Sequence, residues 1–177
     1  MKTAINRVIS MQVWKSLLLS IAIFSAACSY SENNEIKEEP DGYSATVVSI
    51  TDGDTIRVLT KDKEQIRVRF AGIDCPERKQ PWGTRAKESL DTLLSGKKVF
   101  VEVVDVDQYE RSVARIFVDD VNINRMLVQR GDCWVYPRYA KDQVLFDLQV
   151  EAQEAKRGLW KLPEKERVAP WEWRRNN

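Results

Sequence analysis

Residues 43–78 read YSATVVSITDGDTIRVLTKDKEQIRVRFAGIDCPER, and the spacing of apolar residues in this stretch decides the fold. "YSATVVSI" and "TIRVLT" are rich in β-formers. "EQIRVRFAGI" alternates, with Ile66, Val68 and Phe70 on one side and Arg67 and Arg69 on the other. Strands are therefore expected near 43–51, 54–60 and 65–73. Asp52-Gly53 makes the first turn and the polar "KDKE" the second.

Working outward, "WGTRAKESLDTLLSG" spaces Ala86, Leu90, Leu93 and Leu94 as one helical face, with Gly96 as its stop. "KKVFVEVVDVD" and "RSVARIFVD" read as two further strands, and "VNINRMLVQRG" as a short helix. "DQVLFDLQVEAQEAKRGLW" reads as a longer helix. Its apolar positions are Val144, Leu148 and Ala152, and Gly158 is its expected C-cap. The last residues, "EKERVAPWEWRRNN", read as an extended tail. Five strands with a helix after the third give an α+β class: an OB-fold, a five-stranded Greek-key barrel with about three helices.

The chain has 177 residues, 43% of them hydrophobic and 31% charged, enough for one folded domain. Its net charge of +1 does not single out a nucleic-acid partner. There is no histidine. That excludes the usual imidazole sites for zinc or copper and the histidine-assisted serine and cysteine nucleophiles. Acid–base or metal chemistry then rests mainly on carboxylates, which favour hard cations such as calcium or magnesium.

At the N-terminus, Lys2, Arg7 and Lys15 precede an uncharged run from Ser16 to Cys28. The run is shorter than the roughly 20 apolar residues of a membrane span and fits the core of an export signal. Residues 1–28 are expected to be that signal, with Met1 or Met11 as the start. Cys28 after "SAA" resembles a bacterial lipoprotein site, so lipidation at Cys28 is expected; the alternative is cleavage after Ala27. Either outcome exports the protein. A lipid-anchored form would sit in the cell envelope, at the outer membrane if Ser29 acts as the sorting residue, and a free form would be secreted or periplasmic. Residues 29–42, rich in acids, form a tether, residues 43–162 the domain, and residues 163–177 the tail. In an oxidising compartment Cys75 and Cys133 are either two free thiols or a disulfide.

Each short motif has a plain structural explanation when taken alone. "DGDT" is a hairpin turn, "DCPE" a strand end stopped by proline, and "DQYER" a polar turn. Together they say more. Asp54 begins the second strand and Asp74 ends the third, so an antiparallel pairing sets two carboxylates at one end of the sheet. Such a pair repels unless a cation joins it. Arg69 lies on the same strands, Glu77 follows Pro76, and Arg111 opens the fifth strand and is expected at the same end of the barrel. Acids for a cation, one further acid and two arginines suit a phosphodiester, whose transition state gains charge on its equatorial oxygens.

From about Tyr43 to Trp160 the chain resembles the staphylococcal nuclease (thermonuclease) family. "DGDT", "RFAGIDCPE", "YER" and "EAQEAKRGLW" match it in type, order and spacing. The resemblance implies an OB-fold barrel with three helices and a calcium-dependent phosphodiesterase acting on DNA and RNA, with 3′-phosphate products. It places the metal carboxylates on Asp54 and Asp74 and a metal-binding backbone carbonyl on Cys75, where the best-known member has threonine. The active-site glutamate falls on Glu77, and the phosphate-binding arginines on Arg69 and Arg111. Tyr109 and Tyr139 fall near nucleotide-contacting tyrosines. The loop after Glu77 is shorter than in the best-known member. The alignment also runs the Cys133 segment beside the "GIDC" strand, where a bridge to Cys75 is sterically reasonable. A monomer is expected, touching a membrane only through its lipid.

Two other classes compete. A non-catalytic OB module binds nucleic acid through basic grooves and stacking aromatics, but it does not need the full set of acids and arginines retained here. A purely structural lipoprotein explains Cys28 and leaves the acids unexplained.

Overall fold

A computed structural model describes residues 41–177 of the protein. The expected export signal, Cys28 and almost all of the expected tether lie outside the described residues.

The alternating stretch folds as β1 (Gly42–Ile50), β2 (Thr55–Thr60) and β3 (Gln65–Phe70). β1 and β2 pair antiparallel with Ile50 opposite Ile56, and β2 and β3 with Thr55 opposite Arg69. β5 (Lys98–Val106) returns along the other side of β1, and β6 (Ser112–Val118) lies antiparallel to β5. The barrel closes where β6 meets β3 in parallel, with Val68 beside Ser112 and Phe70 beside Ala114. Irregularities at Val47/Ser49 in β1 and Val103/Asp105 in β5 bend the two longest strands of this small barrel.

Alternation directs Val47, Val58, Val68, Phe70, Val101 and Ile116 into the interior. Helix α1 (Gly83–Leu94) adds Ala86, Leu90 and Leu94 to that core, the face its spacing predicts. Helix α2 (Ile123–Gln129) is N-capped by Asn122, which accepts from the Arg125 N–H at 3.0 Å. Helix α3 (Gln143–Glu154) is capped by Asp142, which accepts from the Val144 N–H. Buried Asn124 fastens two parts of the barrel. Its Oδ1 accepts from the Ile116 N–H, and its Nδ2 donates to the carbonyls of Ala71 and Ala114.

The class is α+β, a closed five-stranded OB-type barrel. Several expectations need correction in detail. The third strand stops at Phe70, because Gly72 turns the chain with φ of 73°. Ile73–Asp74 becomes a separate two-residue strand, β4, paired with β8 (Trp134–Val135); β7 (Val121–Asn122) extends β6. Asp54 precedes β2 instead of opening it. In α3 the inward face runs through Leu145, Leu148 and Ala152, while Val144 is exposed. Gly158 does not cap that helix. It opens a short 3-10 turn (Gly158–Lys161), and a Cβ there would run into the Gly131 carbonyl, so the close approach requires glycine.

The largest correction is at the C-terminus. The expected extended tail contains a 3-10 turn (Glu164–Glu166) and a fourth helix, α4 (Pro170–Asn176). Pro170 occupies its first turn, where the missing N–H costs no hydrogen bond. The helices therefore number four among the described residues, against the three expected.

Candidate active site

The turn before β2 presents Asp54. Its own N–H donates to Asp52 Oδ1 at 3.1 Å, which tightens the bend. Gly53 is required there by close approach, since a Cβ would stand 2.7 Å from Cys75 Cβ and 3.0 Å from Ala86 Cβ. The β4–β8 pairing holds Asp74 beside Trp134. Both carboxylates are buried, at 6% and 1% exposure. The Cys75 N–H donates to Asp54 Oδ2 at 2.7 Å, and Thr55 Oγ1 donates to Asp54 Oδ1.

One planar guanidinium joins the two acids. Arg69 Nη1 lies 3.2 Å from Asp54 Oδ2, and Nη2 lies 2.9 Å from Asp74 Oδ1. Even so, the pocket stays hostile to a negative charge on Asp54. Burial pushes its carboxyl up to about 7; Arg69 pulls it down, and Asp52 and Asp74 push it up again.

Glu77 sits in the turn after Pro76, with its side chain 41% exposed. That turn is tied to the start of α1. The Gln80 N–H donates to the Glu77 carbonyl, and the Gly83 N–H donates to the Gln80 carbonyl. A Cβ on Gly83 would collide with the Glu77 carbonyl, so the glycine sets how closely the turn packs.

A residue that the sequence analysis missed completes this cluster. Arg174, from α4, places Nη2 2.7 Å from Asp74 Oδ2 and Nη1 2.8 Å from Glu77 Oε1. Nη1 also donates to Asp74 Oδ1 at 3.2 Å. Hydrogen bonding to Asp74 is the main influence raising the Arg174 pKa, so the guanidinium stays charged. The sequence did hold a clue, proline followed by "WEWRR", which marks a helix start.

Arg111 is held by a different carboxylate. It immediately precedes Ser112, which pairs with Val68, and it is bound by Asp107 across the β5–β6 turn. Asp107 Oδ2 accepts from Arg111 Nε at 2.7 Å, and Oδ1 accepts from the N–H groups of Tyr109 and Arg111. Burial raises the Asp107 pKa, but these donors and the Arg111 charge outweigh it and leave it below the usual carboxylate range. Arg111 forms no ion pair with Asp54, Asp74 or Glu77 among the described residues.

The two tyrosines are exposed. Tyr109 lies under the Arg111 guanidinium at 5.5 Å. Tyr139 meets the edge of Tyr136, whose own ring stacks on Trp171 of α4 at 5.1 Å with 1° between planes. Tyr136 and Trp171 were not singled out in the sequence. Cys75 and Cys133 are joined by a disulfide just behind the acids. Among the described residues, no three His, Cys, Asp or Glu side chains gather as a ready ligand cluster; arginines meet the acids.

The sequence has counterparts among known proteins. Residues 67–162 match the family described as "Staphylococcal nuclease homologue". A protein of Escherichia coli O157:H7 named "Uncharacterized endonuclease" is 40% identical over 129 residues, covering 72% of this chain and 82% of that protein. One of the same name from Haemophilus influenzae is 36% identical over 160 residues, 90% of this chain and 83% of its own. "Micrococcal nuclease" of Shigella flexneri is 37% identical over 144 residues, 75% and 81% of the two chains. The match takes in Arg69, Asp74, Glu77 and Arg111 and runs on through α3, and the chain belongs to the staphylococcal nuclease homologue family.

Proposed function

We propose that this protein is a calcium-dependent nuclease that hydrolyses phosphodiester bonds in DNA and RNA and leaves 3′-phosphates. The observation that carries the proposal is the convergence of buried Asp54 and Asp74 on the single guanidinium of Arg69, with Glu77 beside them through Arg174. Family membership and the nuclease names of its relatives support it.

The donor set suits a hard divalent cation. Asp54 and Asp74 offer anionic oxygens from one patch, and burial leaves Asp54 short of compensating positive charge. They would hold the ion with the Cys75 carbonyl. Bound there, it would supply charge neutralisation for a phosphoryl group. The rest is done by protein groups. Arg69 and Arg111 hold non-bridging phosphate oxygens, and a guanidinium fork suits paired oxygens better than an ammonium does. Glu77, partly open to solvent, orients a water or takes its proton as its oxygen bonds to phosphorus. The bond from phosphorus to the 5′ oxygen breaks, and that oxygen takes a proton from solvent water and leaves as a hydroxyl. Tyr109 and Tyr139, both exposed, supply faces for the nucleotide.

The test is digestion of single- and double-stranded DNA and of RNA by the purified protein in calcium and then in excess chelator. Cleavage in calcium that stops on chelation is expected. Full activity in chelator overturns the metal requirement, and no cleavage of any of the substrates overturns the nuclease. We also infer export through residues 1–28, with lipid on Cys28; mass spectrometry of the mature N-terminus tests this.

A further inference from the structure

We propose that the C-terminal helix is a resident part of the active site and that Arg174 is a positioning residue for Glu77. This rests on the nuclease reading above and deepens it. Glu77 and Asp74 are like charges and would separate without a cation between them. Arg174 is that cation, taking Asp74 with one nitrogen and reaching both acids with the other. It fixes the direction of a carboxylate on an otherwise open turn.

An alternative is that Arg174 is a plug, resting on acids that a metal would claim. The attachment of α4 decides between them. Little of it depends on Asp74. Ala169 and Pro170 are buried. Trp171 stacks flat on Tyr136 and meets Trp134 edge-on at 6.0 Å. Buried Gln80 then clamps helix and turn together. Its Nε2 donates to the Val168 carbonyl at 2.6 Å, while its Oε1 accepts from the Glu77 N–H at 3.1 Å. The same amide thus holds the backbone of Glu77 and the segment that delivers Arg174. A cation taking the Asp74 oxygens leaves these anchors intact, so Arg174 stays beside Glu77.

Two measurements on the full chain test the proposal. The first is hydrogen exchange across residues 170–176 without nucleic acid, with and without calcium. The helix should be protected in both conditions. Exchange at unfolded rates, or release of the helix by calcium as a plug requires, overturns residence. The second is kinetic. Arg174→Ala should lower kcat about 10–100-fold with little change in KM. Arg174→Lys should restore part of the loss. In a Glu77→Gln background, Arg174→Ala should cost little more, because a positioning residue acts through its partner. Equal or higher activity in Arg174→Ala, or losses that multiply in the double variant, overturns the positioning role. An inactive parent chain with a protected helix overturns the nuclease and with it the catalytic purpose of Arg174, while the clamp stands.

Discussion

Asp54 shows how a site residue works against the fold that carries it. Its carboxyl is raised from an ordinary 3.8 to about 7, chiefly by burial. A carboxyl raised in this way contributes stability in full below its unfolded pKa and loses that contribution as pH rises through the folded value. Without a cation, the protein is therefore strained at Asp54 at neutral pH and above. Asp54→Asn keeps the shape and an acceptor and removes the charge. It should stabilise the metal-free protein by about 1–3 kcal/mol near pH 8, since each tenfold change in proton affinity is worth about 1.4 kcal/mol. The gain should shrink as pH falls through the window from about 7 to 4. Thermal melts across that range check it, and a lower melting temperature for the variant at neutral pH would show that Asp54 is better compensated than its burial implies. Glu77 makes the contrast. It is half-open and outside the buried pair, so Glu77→Gln should cost about 10²–10⁴ in turnover. Calcium affinity, read by calorimetry, should hardly move. If affinity falls as far as turnover, Glu77 is a metal ligand instead of the water's partner.

At the scale of elements, what the sequence revealed follows from how each element is stabilised. The barrel strands were legible because alternation is local and each strand buries one face. Asp54 and Arg69 could be placed together because a hairpin fixes which strand ends meet, whereas Asp74 reaches them through the Gly72 turn and the pairing of β4 with β8. Helix α4 was missed because seven residues are too few for a periodic pattern and its packing partners, Tyr136, Trp134 and Gln80, are remote in sequence. The contact between Arg174 and Asp74 spans 100 residues, which no local spacing records. Arg111 was expected at the same end of the barrel, and the pairing that holds it, to Asp107 across the β5–β6 turn, is one the sequence reading did not name. The Glu77 turn is set in the same way by its neighbour α1. Gly83→Ala drives a methyl against the Glu77 carbonyl and close to Arg78 Cα at 3.2 Å. Overpacking of this kind costs about 1–3 kcal/mol. The variant should melt lower and lose turnover together, because the turn that shifts carries Glu77. Unchanged turnover at a lower melting temperature would separate the packing from the site.

For the whole molecule, the disulfide ties the site to the barrel's most distant connection. Cys75 follows Asp74 of β4, and Cys133 precedes β8, so the bridge reinforces a pairing of only two residues per strand. Its sequence separation of 58 encloses α1, β5, β6, β7 and α2 in one covalent loop. Closing such a loop restricts the unfolded chain and is worth about 2–4 kcal/mol. Reduction should therefore lower the melting temperature substantially, yet the folded barrel should survive, since the two cysteines are a small part of a core that Val68, Phe70, Leu90, Val101 and Ile116 also fill. The double variant Cys75→Ala, Cys133→Ala separates covalent from packing effects, because it leaves small side chains beside Gly53. It should match the reduced protein in stability and retain turnover at low temperature, where both remain folded. The Cys75 N–H still donates to Asp54 Oδ2 in such a variant, since that bond comes from backbone. If turnover falls in the folded variant, the bridge also fixes the backbone between Asp74 and Glu77 and is part of the site's alignment; if stability is unchanged, the loop-closure account is wrong.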